Sequence, residues 1–243
     1  MTLARPQAWG AAPNLSGQAG ARRAAILGTG SSLPSRVITN QDLEKLVDTN
    51  DAWIVERTGV RERRASAPGE PASLFATEAA KCALDAADVS AKEIDLIVLA
   101  TTTGDSNLPA TANIVMKNLG VEKAAAFDIL AACSGFIYAC TVAEKFILTG
   151  ASQCALVIGV ELLTKFTDYK DRTTCILFGD GAGAAVLGAR EDGSGILAST
   201  IQNDGALCDY LTIAGGGSLH PTSHETVDKE MHYIRMKGNE TFK

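Results

Sequence analysis

The sequence predicts a layered α/β fold with helices on both faces of its sheet. Three observations carry that prediction. From Ala24 onward, short apolar runs that read as strands alternate with longer segments of helical periodicity. The strand runs are continuously apolar, as in Ile94 to Ala100, the pattern of strands covered on both faces. Of the 243 residues, 46% are hydrophobic, enough for a sizeable core in one or two domains.

Residues 1–22 read as a disordered tail, rich in Ala and Gly, with no acidic residue before Asp42. An acidic-poor start containing Arg5 and Arg22 also fits an organelle transit peptide, although it is short for one. Ala24 to Leu27 is a buried strand, and Gly28-Thr29-Gly30 a turn. Thr39 or Asn40 caps a helix that carries Leu43, Leu46 and Val47 on one face. A second helix runs from Asp51 to Thr58 and stops at Gly59. Arg61, Arg63 and Arg64 follow, with Pro68 and Pro71 in a loop. Ser73 caps an Ala-rich helix to Ala87, and Pro109 opens another that ends at Leu119-Gly120. Ala124 to Leu130 is a strand, and Cys133 to Leu148 a helix apolar on nearly all faces, hence buried. Ala155 to Val160 and Ala184 to Leu187 are strands, the second preceded by the Gly179 to Gly183 loop. Ile196 to Ile201, Tyr210 to Ile213 and His232 to Met236 read as strands, Gly215 to His224 as a loop, and Gly238 to Lys243 as a helix start. The domain boundaries that follow are a tail over 1–22, an α/β unit over 23–192 and the start of a second unit over 193–243.

Several function classes drop out early. The formal charge of −6 disfavours generic duplex nucleic-acid binding. No stretch approaches the roughly 20 apolar residues of a membrane helix, and the N-terminus lacks an apolar signal core. None of the six cysteines forms a C-x-x-C pair, so neither a zinc ribbon nor a redox motif is expected, and buried thiols in a reducing compartment are. Neither glycine-rich segment is a dinucleotide fingerprint: Pro34 intervenes after Gly30, and a strand rather than a helix follows Gly183.

Cys133 stands apart from the other cysteines. It sits in Ala131-Ala132-Cys133-Ser134-Gly135-Phe136, where a strand ends and an apolar helix begins. A helix N-terminus offers partial positive charge and free N–H groups, which favour the thiolate that acts as nucleophile. Gly135 lets backbone or substrate approach. Cys82, Cys140, Cys154 and Cys175 read as small core residues.

These segments together resemble β-ketoacyl-acyl-carrier-protein synthase III, a thiolase-fold condensing enzyme family, from about Ala24 to Lys243. The resemblance rests on the opening Ile26 to Pro34 segment, the block from Trp53 to Arg63, Phe127-Asp128 before the Cys133 motif, Asp171-Arg172-Thr173, Phe178 to Leu187, and Gly238-Asn239-Glu240 with Phe242-Lys243. It implies layers in the order α/β/α/β/α, built from two similar halves. It implies that Cys133 takes the acyl group of acetyl- or another short acyl-coenzyme A, and that the acyl-cysteine then condenses with malonyl-carrier protein in ping-pong fashion. No cofactor and no metal are implied, because the coenzyme A thioester is a substrate. Trp53 and Arg172 match the pair that sandwiches the adenine; Arg57 and Thr49 match contacts to the nucleotide end. Leu177, Phe178, Gly238, Asn239 and Phe242 fall where the family lines its pantetheine tunnel and acyl site. Leu108 matches a residue that reaches the partner's acyl pocket, which implies a homodimer, and Lys243 matches a basic residue near the carrier-protein docking surface. A bacterial cytoplasmic location is the expectation, ahead of a plastid.

One departure matters. The family also draws on a histidine and an asparagine from its C-terminal half, and each such oxyanion donor commonly supplies about 3–4 kcal/mol. The three histidines here, His220, His224 and His232, fall where the family places no catalytic group and read as surface residues. The expectation is therefore a fragment of a longer enzyme, with the second half largely missing, that does not condense by itself. A ketide-forming relative using a longer primer is the alternative enzyme; a truncated paralogue that only dimerises or occupies carrier protein is the alternative outside catalysis.

Overall fold

The computed structural model describes residues 22–241. The tail therefore lies outside the described residues, apart from Arg22, whose guanidinium donates to Ile147 O at 2.8 Å and to Gln153 at 2.7 Å. In chain order the elements are β1 (Arg23–Ser32), β2 (Arg36–Thr39), α1 (Asn40–Glu44), α2 (Asp51–Thr58), β3 (Glu62–Ala65), α3 (Ala72–Ala87), β4 (Leu96–Ala100) and α4 (Thr111–Leu119). There follow β5 (Ala125–Ile129), α5 (Gly135–Leu148), β6 (Cys154–Leu162), α6 (Arg172–Cys175), β7 (Asp180–Arg190), β8 (Leu211–Thr212), α7 (His224–Asp228), β9 (Arg235–Met236) and α8 (Gly238–Thr241).

Five strands form the central sheet in the order β1-β7-β6-β4-β5. β4 pairs in parallel with both β5 and β6, whereas β7 runs antiparallel to β6 and β1. Successive side chains of a strand face opposite ways, and here both ways are apolar. Ile97 and Leu99 of β4 join Leu156 and Ile158 of β6 beneath α3 and α4. Leu96 and Val98 join Ala155 and Val157 beneath Ala139, Ala143 and Ile147 of α5. The expected helix cover on both faces is thus present, as three of the five expected layers. The strands β2 and β3 pair beside this sheet over a smaller cluster of Ile38, Leu43, Ile54, Ala65, Cys175 and Ile176.

The structure corrects several local expectations. Gly28-Thr29-Gly30 is not a turn but the middle of β1. Its glycines admit α3: a Cβ on Gly28 would lie 2.6 Å from Ala83 O, and one on Gly30 would strike the α3 backbone at Ala79 and Ala83. Gly179 to Gly183 is likewise largely strand, because β7 begins at Asp180. The arginine-rich stretch after Gly59, given no element from the sequence, is β3. Helix α1 ends at Glu44, which leaves Leu46 exposed. The α3 cap is Pro71, with Ser73 buried inside the helix. Helix α4 starts at Thr111, not Pro109, because the Asp128 carboxylate accepts from Thr111 N at 2.7 Å and Ala112 N at 2.8 Å. Ile196 to Ile201 forms no ladder; the positive φ of Gly193 and Gly195 turns the chain, and Ile196 N donates to Ala24 O at 2.8 Å. Helix α5 buries one stripe only, and Ile137 on its other side is 53% exposed.

Candidate functional site

Cys133 lies on the turn that joins β5 to α5. Ile129 at the end of β5 accepts from Thr101 N at 3.1 Å, which fixes this strand beside the end of β4. The chain then turns sharply: Ala132 takes φ +45°, a left-handed conformation that costs a residue with a Cβ of order 1 kcal/mol. Ala132–Ser134 make a single 3-10 turn, and α5 begins at Gly135, two residues later than expected. Gly135 is required there, since a Cβ would come within 2.9 Å of Ala100 Cβ. The outcome is an exposed Cys133 immediately ahead of a 14-residue helix.

The other cysteines differ in kind. Burial pushes the Cys140 thiol up to about 11. Burial, with Asp95 and Glu93 nearby, does the same for Cys154. Cys175 is buried as expected, but Cys82 is exposed on α3 and so is not a core residue.

A second group of the expected site residues gathers on α2. Asn50 caps this helix by accepting from Trp53 N at 2.9 Å, and Gly59 closes it with φ +71°. Trp53 and Arg57, one turn apart, share a face, and the Arg57 guanidinium carbon lies 4.4 Å from the indole centroid. Arg172 reaches the same ring from α6, at 5.1 Å. The Asp171 carboxylate caps α6 by accepting from Thr173 N at 2.9 Å, and so fixes where Arg172 starts. Arg172 Nη1 donates to the backbone carbonyl of Asp48 at 3.0 Å and lies 3.9 Å from its carboxylate. Next to it, the Thr49 hydroxyl oxygen is buried with no hydrogen-bond partner. Leu177 packs on the cluster beneath Trp53, and Phe178 is half-buried beside it in sequence.

The remaining expected residues lie apart. Leu108 is 86% exposed on the connection from β4 to α4. Gly238 opens α8, and Asn239 is its second residue. The Asn239 side chain, Phe242 and Lys243 lie outside what is described. Among the described residues, no hydrogen bond joins Cys133 to the Trp53 group, which belongs to the smaller cluster.

Sequence reasoning missed the groups that hold these parts in register. Glu161 accepts from Thr102 N, Thr102 Oγ1 and Thr103 Oγ1 at 2.8, 2.8 and 2.7 Å, pinning the chain after β4. Burial raises its carboxyl despite those three donors. Asp180 accepts from the N–H and the hydroxyl of both Ser66 and Thr164, at 2.6 to 2.8 Å. Arg63, buried in the smaller cluster, donates to Ile38 O, Asn40 Oδ1 and Ile176 O. The one available signal was that an acidic residue within or beside an apolar strand run must have donors waiting for it.

A thiol at a strand-to-helix turn beside this mixed sheet defines a thiolase-like α/β protein, and the comparisons narrow the class. Residues 127–205 match the family described as 3-oxoacyl-[acyl-carrier-protein (ACP)] synthase III. The β-ketoacyl-[acyl-carrier-protein] synthase III of Caldanaerobacter subterraneus is 54% identical over 90% of this chain and 66% of its own length. That of Caulobacter vibrioides is 50% identical over 91% of this chain and 68% of its own. The crystal structure of the Aquifex aeolicus synthase III superposes with a TM-score of 0.80 at 47% identity, covering 90% of this chain and 66% of that one. The priming β-ketosynthase of the R1128 polyketide pathway superposes at 0.82 with 31% identity, over 93% and 66% of the two chains. The chain belongs to the β-ketoacyl-[acyl-carrier-protein] synthase III family, and spans about two thirds of the length of these relatives.

Proposed function

We propose that the chain takes part in the priming condensation of fatty-acid synthesis, with Cys133 as acyl acceptor. The observation that carries this reading is the exposed Cys133 on its strained turn ahead of α5. The Cys133 sulfur, as thiolate, attacks the carbonyl carbon of a short acyl-coenzyme A. The S–acyl bond forms, the coenzyme A thiolate leaves, and the N-terminus of α5 opposes the negative charge that develops in between. In the second stage malonyl-carrier protein loses carbon dioxide, and its carbanion displaces the acyl group from Cys133 to give the β-ketoacyl product. The nucleotide end of coenzyme A takes the Trp53, Arg57 and Arg172 group. An indole flanked by two guanidinium ions suits a flat base followed by phosphates. Thr49, Leu177, Phe178, Gly238, Asn239 and Phe242 are assigned to the rest of that ligand, and Lys243 to an acidic carrier protein. No metal or other cofactor enters either stage. The setting is a bacterial cytoplasm.

The reading includes a homodimer. β5 is an edge strand of the central sheet, and Leu130 just beyond it is 79% exposed, with Leu108 on the neighbouring connection exposed as well. An edge strand bordered by exposed leucines supports a second copy on that side, which Leu108 would enter.

The test is acylation. The full chain is mixed with acetyl-coenzyme A and digested for peptide mass mapping. The expected result is one acetyl group on the Cys133 peptide and none in Cys133→Ala. Acetylation that survives Cys133→Ala, or none in the wild type, overturns the assignment. A priming ketide synthase, favoured by the R1128 likeness, would instead acylate faster from a longer acyl-coenzyme A.

A further inference from the structure

The Trp53 platform is closed in the unliganded protein. A base stacked between two flat groups needs one van der Waals spacing on each side, about 3.5 Å twice, or about 7 Å between its neighbours. Arg172 lies 5.1 Å from the Trp53 centroid, so no base fits between them as they stand. What holds Arg172 down is the connection between α1 and α2. Its guanidinium donates to Asp48 O at 3.0 Å, and the Asp48 carboxylate, fully exposed itself, stands 3.9 Å away. The adjacent Thr49 hydroxyl is buried with neither donor nor acceptor opposite it. A hydroxyl buried without a partner is a cost carried by the closed form. A ligand that opens the form and reaches this hydroxyl removes the cost.

From this we infer that Asp48 and Arg172 form a latch over the nucleotide platform. Asp48 is a positioning residue that competes with the ligand for Arg172, and the Thr49 hydroxyl favours the open, ligand-bound form. The inference rests on the nucleotide reading of the Trp53 group given above. It assigns Asp48 a role opposite to that of a binding residue: removing its charge strengthens binding.

The test uses coenzyme A with the full chain carrying Trp9→Phe, so that Trp53 is the sole indole and its fluorescence reports stacking. The expected result is that Asp48→Asn binds about three-fold more tightly at low salt, the range of an exposed ion pair. Asp48→Glu restores wild-type affinity, and the gain from Asp48→Asn disappears at about 0.5 M salt, where such pairs are screened. Thr49→Val, which leaves no hydroxyl to satisfy, weakens binding while leaving the unliganded melting temperature unchanged or higher. If coenzyme A quenches Trp53 in the wild type but Asp48→Asn binds no more tightly, the latch is wrong and the nucleotide reading stands. If the wild type shows no quench, the nucleotide reading falls and the latch falls with it.

Discussion

Replacing Asp180 tests whether the two clusters of the fold are joined as the geometry implies. Asp180 is 5% exposed and opens β7, and it is the shared acceptor for the end of β3 and for the 3-10 turn after β6. In Asp180→Ala, the Ser66 and Thr164 hydroxyls can rotate toward other acceptors, but their two backbone N–H groups cannot. A buried donor left unpaired costs about 1–3 kcal/mol, so the two N–H groups together predict a loss of about 2–6 kcal/mol. With a urea slope of about 1–3 kcal/mol/M, a loss near the middle of that range lowers the unfolding midpoint by about 1–4 M. Asp180→Asn keeps one carbonyl oxygen as acceptor and turns an NH₂ toward the others, so it falls between Ala and wild type. Urea unfolding followed by far-UV circular dichroism measures the ranking. Hydrogen exchange at the Ser66 and Thr164 amides measures its cause, since those protons lose their acceptor first. An Asp180→Ala chain within about 1 kcal/mol of wild type would refute the reasoning, as would Asn proving worse than Ala.

Other perturbations read out other parts of the fold. Iodoacetamide at neutral pH should label Cys82, Cys133 and Cys208 well before Cys140 and Cys154, whose thiols sit near 11; mass mapping that finds Cys140 labelled first contradicts this. Gly30→Ala, which drives a Cβ into the α3 backbone, should cost about 1–3 kcal/mol in urea unfolding or prevent folding. Gly59→Ala, in open space at φ +71°, should cost only about 1 kcal/mol. For Glu161 the raised carboxyl makes ionisation unfavourable in the fold, so its contribution to stability falls as pH rises from its ordinary 4.5 through its folded value. The stability of Glu161→Gln relative to wild type should therefore increase between about pH 4 and about pH 7, and a decrease rules the assignment out. Ala132→Gly should be neutral or stabilising, because it relieves φ +45°, whereas Ala86→Gly on the exposed side of α3 should cost about 1 kcal/mol.

What the sequence made legible was local. Helix α2 was placed to the residue because Gly59 is a chain-local stop signal, and the start of α1 because Thr39 is a chain-local cap, whereas its end at Glu44, short of Leu46 and Val47, was not. The central strands β4 and β6 were legible because covering on both faces leaves an unbroken apolar run. The failures involve partners distant in sequence. Nothing beside Gly28 and Gly30 announces that α3 will press on them. Pro109 looked like a helix start, but Asp128 on β5 decides where α4 begins. β3 is nearly all polar and becomes a strand only by pairing with β2. The site divides in the same way. Cys133 was legible from its neighbours; the spacing of Trp53 and Arg57 gave only a shared helix face, and their role came from the family resemblance. The hold on Arg172 runs through a backbone carbonyl of Asp48, an acceptor every residue carries and no residue type signals.

The thiol and the nucleotide platform therefore stand on different supports. Cys133 is fixed by the central sheet, through Ile129, Thr101 and the contact of Gly135 with Ala100. Trp53 and Arg172 stand on the smaller cluster, which is tied to the start of β7 through the buried Asp180 and braced internally by the buried Arg63. Arg63 has three acceptors, all uncharged: Ile38 O on β2, Asn40 Oδ1 on α1 and Ile176 O beyond α6. Burial lowers its pKa, and its planar guanidinium serves as a fixed three-way brace. A lysine at this position keeps the charge but lacks the planar fork that reaches three directions at once. Arg63→Lys is thus expected to loosen the platform that carries Trp53 and Arg172 while the rate of Cys133 alkylation stays at the wild-type value. Loss of both together would mean that one support carries the whole site.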